Sequence, residues 1–357
     1  MTTRLTLDRY VYEDIYPAFK ASTDEKEITA ALSHGFLNYL AERNLVLTGN
    51  APAAVADIGC GPCDTLIKYL SGVLFPPGFV VRATDFLAEY ADAERGEALR
   101  TLSAAQAART IRLVGFSVRA GDAFCGTLLD LLSGPQDGTR MRHAFSVVYA
   151  SHMLYHAETS AAVQRLLAEV AHNLLAINGI CILFHIANRP ATFQDFRARF
   201  GSQAGATSDS DTGAVTIDDP PAQVSAACAS LQLPLYQMEF VTNLRFDSRR
   251  DDEWRAFKDP RTYELLADSN PAAYEDLKRL YFIVQRAPLE FAADRSATGL
   301  DAFVDEIRGV VEANHGVLSS TEAMQVFSRA DAAPILGKSI SEALAAIVAA
   351  GAGKLPS

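Results

Sequence analysis

The stretch VADIGCGPCDTL, residues 55–66, carries two competing signatures, and which one governs decides the fold. Cys60-Gly61-Pro62-Cys63 has the form of a dithiol redox pair, which works when its first cysteine sits exposed at a helix N-terminus and its pKa is lowered there. The same residues read as Asp57-x-Gly59-x-Gly61, a tight turn between a strand and a helix that lets backbone approach a bound nucleoside. Asp64 follows the cysteines where a base would assist a thiolate, so the charge pattern opposes the redox reading.

Working outward, AAVADIG and GFVVRATDF are short apolar runs separated by DTLIKYLSGVL, which has helical spacing. This is a βαβ unit with parallel strands. The alternation continues through a helix in AEYADAERGEALRTLSAA, a strand in IRLVGFSVRAGDAF, a helix in CGTLLDLLS and a strand in HAFSVVYASHMLYH. A helix in SAAVQRLLAEVAHNLLA and a strand in GICILFHIA complete it. The fold class expected is α/β, an open, doubly wound, mostly parallel seven-stranded sheet whose ligands bind beyond the carboxyl ends of the strands. LPLYQMEFVTNLRF and LKRLYFIVQR are expected as the two closing strands, and the acidic, aromatic segment 248–277 between them as helical.

The expected division is an N-terminal helical cap over 1–48, a central domain over 49–290 with a substrate-side insertion at about 188–277, and a C-terminal helical extension over 291–357. GSQAGATSDSDTGA, 201–214, reads as a flexible loop of small residues. The alanine-rich EALAAIVAAGAG permits close helix packing, whether over the pocket, on the sheet or in a homodimer contact.

The acidic strand ends narrow the ligand. Asp57 ends the first strand, Asp85 the second, 28 positions on, and Asp122 the third. A carboxylate at the Asp85 position supplies the acceptors that a ribose diol needs, and Asp122 could take the amino group of an adenine. A pyrophosphate would be repelled by Asp57, whereas S-adenosylmethionine carries an ammonium and a sulfonium and no phosphate. It is therefore the expected cofactor, with Asp57, Gly59, Gly61, Asp85, Phe86, Asp122, Ala123 and Ser151 as its binding residues.

VADIGCGPCDTL, VVRATDF, AGDAF and FSVVYASHMLYH together resemble the class I S-adenosylmethionine-dependent methyltransferases over about 50–187, with Cys63 where that family usually has a third glycine. YVYEDIYPAFKASTDEKEI, HMLYHAETSAAVQRLL and FHIANRPATFQDFRARFGSQ are similar to the histamine N-methyltransferase family. That resemblance implies a Rossmann-like methyltransferase fold and methyl transfer to a small molecule, a nitrogen of an amine or heterocycle above all. Oxygen methylation of a specialised metabolite, or cofactor binding put to cyclase, isomerase or regulatory use, remain open, since fold does not fix function. It also implies that Asp24 holds the substrate amine, and it sets His152 where the family has a glutamine.

Methyl transfer is an in-line displacement, so positioning and exclusion of water supply much of the rate. Asp24, His152 and Tyr155 are the candidates to orient an amine or accept its proton. Tyr12, Tyr16, His156, Phe193, Phe196 and Trp254 are candidates to line the substrate pocket, Phe193, Phe196 and Trp254 as a wall for a cation, with core packing the rival role for the aromatic residues. His152 and His156 are four apart, but a third ligand is not apparent nearby and a metal is not expected.

Net charge is −11, which removes any general attraction to nucleic acid or anionic lipid. Mean hydropathy is +0.06. No uninterrupted apolar run reaches the roughly 18 residues that span a bilayer, and the first residues show no basic start followed by an apolar run, so a cytoplasmic protein with reduced thiols and no membrane partner is expected. Five cysteines is an odd number in a chain too long to need stapling.

Overall fold

A computed structural model describes residues 15–92, 96–125, 127–133, 141–157, 159–200, 219–248, 250–259, 262–284 and 299–350. Its seven strands are β1 (Ala53–Ile58), β2 (Phe79–Asp85), β3 (Leu113–Ala120), β4 (Phe145–Ser151), β5 (Leu175–Ile186), β6 (Leu235–Arg245) and β7 (Val317–Ser328). They form one sheet in the order β3-β2-β1-β4-β5-β7-β6. β1 pairs in parallel with β2 and β4, β2 with β3, and β4 with β5, while β7 runs antiparallel to β5. This is a doubly wound, mostly parallel, Rossmann-like α/β sheet with flanking helices.

The strands read as they do because both faces are covered. Val55, Ala56 and Ile58 of β1 and Val147, Val148, Tyr149 and Ala150 of β4 are all within 1% of complete burial, which only uninterrupted apolar runs can fill. The helix Asp64–Ser71 returns over the sheet by burying Leu66, Tyr69 and Leu70. The strand order reverses at β1, which lies between β2 and β4, and in open α/β sheets the carboxyl ends at such a switch point are where ligands bind.

Contacts divide the chain into two compact units. One comprises 26–186, 214–240 and 322–357, and holds the sheet core; the other comprises 1–25, 187–213 and 241–321. The helix Glu25–Glu42 places Ile28, Leu32, Phe36, Leu37 and Leu40 in the same core as Val55, Tyr149 and Phe184, so the expected N-terminal cap is divided, its part from residue 26 onward forming a layer of the sheet unit.

Two expectations are corrected. LKRLYFIVQR is not a strand: its residues to Val284 belong to the helix Pro271–Val284, where Ala273, Leu277, Leu280, Tyr281 and Val284 recur at helical spacing and are buried. A short apolar run does not by itself distinguish a buried helix from a strand. The closing strand is β7, so 291–357 is not wholly helical; helices Leu300–Ala313 and Ala333–Ala349 flank a strand of the sheet. Ser319, Ser320, Glu322 and Gln325 disguise β7 in the sequence. Gln325, fully buried, donates through Nε2 to the Pro221 carbonyl and to Gln237 Oε1. Among the described residues one helix, Ala330–Ala349, is long and apolar enough to cross a membrane by length and composition; it buries Leu336, Ile340, Ala343, Leu344 and Ile347 in the sheet core.

Candidate functional site

Gly59 and Gly61 take φ of +72° and +49°, and Cys63, at +61°, begins the helix in the same left-handed region. The turn needs this conformation, in which L side chains are strained. The Gly59 and Cys60 amides both donate to the Thr84 carbonyl, at 2.8 and 3.0 Å, tying the loop to β2. A Cβ on Gly59 would lie 2.8 Å from the Met153 Cβ, so the loop after β4 packs directly on glycine backbone. Gly59→Ala is expected to lower stability by about 2 kcal/mol or more, since it adds left-handed strain to a steric clash. Thermal melting with and without S-adenosylhomocysteine checks this; an unchanged melting temperature would mean the close approach is not required.

Asp85, 5% exposed at the tip of β2, accepts the Gly61 amide on Oδ2 at 2.8 Å and the Leu87 amide on Oδ1 at 2.9 Å. Burial raises its pKa while these amides lower it, and the balance lies above the usual carboxylate range. Asp57, 6% exposed, accepts no hydrogen bond from the described residues, and burial, reinforced by the charges of Asp85 and Asp64, pushes its pKa up to about 7. Asp122 lies just past β3 and is exposed; its Oδ1 accepts the Phe124 amide at 2.8 Å. Ala123 is half-buried beside it. Ser151 ends β4 and accepts the Tyr69 hydroxyl at 3.3 Å. Phe86, 50% exposed, stands 5.3 Å from the His156 ring. The structure thus places the eight expected cofactor residues at the carboxyl ends of four consecutive strands of the sheet, β3-β2-β1-β4, in one unit.

Cys60 and Cys63 are free thiols, 6% and 0% exposed. The Cys60 thiol is pushed well up by its hydrogen bond with Cys63 and by burial. For Cys63 that bond pulls down, but burial and the charges of Asp57, Asp85 and Asp64 prevail and raise it. Neither is a thiolate poised to react. Asp64 is occupied by Lys26, whose Nζ donates to its two oxygens at 3.1 and 3.0 Å.

His152 follows β4 with φ +52°, its amide donating to the Phe184 carbonyl of β5 at 2.8 Å. Its Nε2 is 3.5 Å from Glu322 Oε2 on β7. His185 of β5 is 1% exposed, its ring centroid 6.4 Å from that of His152. Sequence reasoning missed Glu322; the only signal was a carboxylate beside the apolar run AMQVF, inside a segment that did not read as a strand. Tyr155 lies in the turn Leu154–His156, with its side chain outside the described residues.

The remaining candidates fall in the other unit. Asp24 is half-buried, and its Oδ1 and Oδ2 accept the Asn243 amide at 2.7 Å and Asn243 Nδ2 at 3.0 Å. The Asp24 amide donates back to the Asn243 carbonyl at 3.2 Å, beside an antiparallel bridge between Thr23 and Leu244. This clamp splices the segment to β6. Asp24→Asn would set an amide donor against one of Asn243's donors, so a loss of about 1–2 kcal/mol is expected, visible as a melting temperature lower by several degrees; an equally stable variant would free Asp24 for a role in acceptor binding alone.

Tyr16, half-buried, joins Phe19, Phe193 and Phe282 in a cluster with ring separations of 4.3–6.3 Å, and Lys20 already lies 5.4 Å over its ring. Phe193 is 2% exposed, Phe196 0% and Trp254 1%. Phe196 packs on Phe200 and Phe303, and Trp254 on Phe246 and Phe257, so the packing role describes these three. Tyr12 and the loop 201–214 lie outside the described residues. Among the described residues no group of three His, Cys, Asp or Glu side chains is arranged to hold a metal ion.

No family model matches the sequence, and no curated protein matches it. Solved structures are similar in outline. The YcgJ protein from Bacillus subtilis is 15% identical with a TM-score of 0.40, over 78% of this chain and 93% of its own. A phosphoethanolamine N-methyltransferase 2 from Haemonchus contortus is 13% identical with a TM-score of 0.36, over 82% of this chain and 52% of its own, so the chain spans about half its length. A geranyl diphosphate C-methyltransferase from Streptomyces coelicolor is 13% identical with a TM-score of 0.37, over 79% and 74%.

Proposed function

We propose that this chain is an S-adenosylmethionine-dependent methyltransferase of the histamine N-methyltransferase type, acting on a small-molecule acceptor, with a nitrogen of an amine or heterocycle as the preferred nucleophile. One observation carries the reading: Asp57 and Asp85 are buried carboxylates at neighbouring parallel strand tips, raised in pKa, with a glycine turn between them in the chain.

The residues fit a cationic, phosphate-free nucleoside. Beyond the Gly61 and Leu87 amides, the Asp85 carboxylate retains acceptor capacity for the hydroxyls of a ribose. Asp57, buried without a hydrogen-bond donor of its own, is compensated by an ammonium. Phe86 and His156 offer aromatic faces to an adenine, and the second oxygen of the exposed Asp122 an acceptor for its amino group. The cofactor, when bound, supplies an electrophilic methyl carbon on a sulfonium. The chain's task is then to hold an acceptor in line with that carbon, exclude water, and take up the proton the acceptor loses.

Calorimetric titration with S-adenosylhomocysteine is the test, alongside ATP and NAD as phosphate-bearing controls. A heat of binding and a raised melting temperature for S-adenosylhomocysteine alone are expected. Absence of both, or preference for a phosphate-bearing nucleotide, would overturn the reading.

A further inference from the structure

We propose that Glu322 is the positioning residue that holds His152 as the proton acceptor of the transfer, selecting acceptors whose nucleophilic atom surrenders a hydrogen: azole N–H, amine N–H or phenol O–H. This rests on the methyl-transfer reading above.

Three adjacent strands bring the parts together. β4 delivers His152, β5 delivers His185, and antiparallel β7 returns Glu322 to the same end, in register with Ile186 of β5. The parallel strands place their last residues at that end, and β7 places its middle there, which is why a residue 170 positions after His152 reaches it. The His152 backbone is fixed twice, by the hydrogen bond its N–H donates to the Phe184 carbonyl and by a left-handed conformation that a non-glycine residue holds only when its surroundings impose it. The Glu322 side chain is 1% exposed and that of His152 19%, so the carboxylate is the inner member and the imidazole the outer one.

Nε2 lies 3.5 Å from Glu322 Oε2, an ion-pair separation without a formed hydrogen bond, and the neutral ring is assigned its hydrogen on Nε2, toward the carboxylate, with Nδ1 as the basic atom. In the transfer, the acceptor's electron pair forms the bond to the methyl carbon as the carbon–sulfur bond breaks. The acceptor's N–H or O–H bond also breaks, and its proton passes to His152 Nδ1. Among the described residues, the carboxylate that faces the resulting imidazolium is Glu322.

The titratable groups brought up to His152 by β5 and β7 are His185 and Glu322; the turn after β4 adds His156, whose ring stands against Phe86. His185 would compete for Glu322's charge if it ionised. It does not: burial, with the neighbouring His152 adding, holds its pKa well below the usual imidazole range, and both its ring nitrogens are buried without a hydrogen-bond partner among the described residues.

The test reads the ring directly. Long-range proton–nitrogen correlation spectra of ¹⁵N-histidine-labelled full-length protein, with the His152 signals assigned through His152→Asn, report tautomer and titration. The Nε2–H form of His152 is expected at high pH, with a midpoint that falls about tenfold in proton affinity in Glu322→Gln, while His185 stays neutral throughout. An Nδ1–H tautomer in the wild-type protein, or a midpoint unmoved by Glu322→Gln, overturns the proposal; the wild-type tautomer decides even where the variant does not fold. S-adenosylhomocysteine titration of the same samples separates the two readings. Glu322→Gln binding it as the wild type does, with an altered His152, supports the positioning role, whereas a wild-type protein that does not bind it sinks the methyl-transfer reading on which the role depends.

Discussion

Asp57→Asn is expected to stabilise the protein above neutral pH and to weaken its hold on S-adenosylmethionine at the same time. The sign follows from proton linkage. In the folded chain Asp57 keeps its proton to about pH 7, because burial and the charges of Asp85 and Asp64 disfavour the anion. In the unfolded chain it ionises near the ordinary value of about 4. Between those values the folded state binds more protons, so Asp57's contribution to stability falls as pH rises from about 4 to 7, by up to about 4 kcal/mol at ~1.4 kcal/mol per pH unit. Asparagine has no charge to form. Chemical denaturation of both proteins at pH 4.5 and pH 8 should show the variant's relative stability growing by about 2–4 kcal/mol at the higher pH. Parallel curves at both values would mean that Asp57 titrates normally. The opposition between stability and binding is itself informative: an uncompensated buried carboxylate persists where a ligand supplies the countercharge.

The part of this molecule that the sequence makes legible is the part built from local rules. β1, its glycine turn and the helix after it need only a run of apolar residues, two left-handed positions and an amphipathic spacing, all contiguous in 53–71. The acidic tips follow because the end of an apolar run is the end of a strand. What the sequence hides depends on pairing between distant segments. β7 contains Ser319, Ser320, Glu322 and Gln325, polar residues tolerated in the strand because other segments satisfy or bury them, as Pro221 and Gln237 do for Gln325. Glu322 therefore gave no readable sign of lying beside His152. The converse holds for Pro271–Val284, whose apolar density imitates a strand until Asp276 and Arg279, three apart, pair along one helical face. Asp24 shows a third limit: a carboxylate after Ser22-Thr23 is the same in sequence whether it meets an amine or, as here, the two donors of Asn243.

Asp85→Ala should remove cofactor affinity more completely than any change elsewhere in the loop. The carboxylate has two employments. It receives the Gly61 and Leu87 amides, so it shapes the glycine turn and the start of the next segment, and beyond those bonds its oxygens retain capacity to accept. Alanine leaves two amides without their acceptor and the ribose without its own. A charge-assisted hydrogen bond contributes about 1.5–3 kcal/mol, so affinity for S-adenosylhomocysteine is expected to fall roughly 10- to 100-fold or more. Asp85→Asn distinguishes the employments. The amide oxygen can still accept one backbone N–H, but its NH₂ turns a donor toward the other, so part of the turn survives while the acceptor pair does not. Calorimetry on both variants, with melting curves as the control for folding, should rank affinity as wild type, then Asn, then Ala. If all three bind S-adenosylhomocysteine equally while melting alike, Asp85 serves the turn alone and the ribose is held elsewhere.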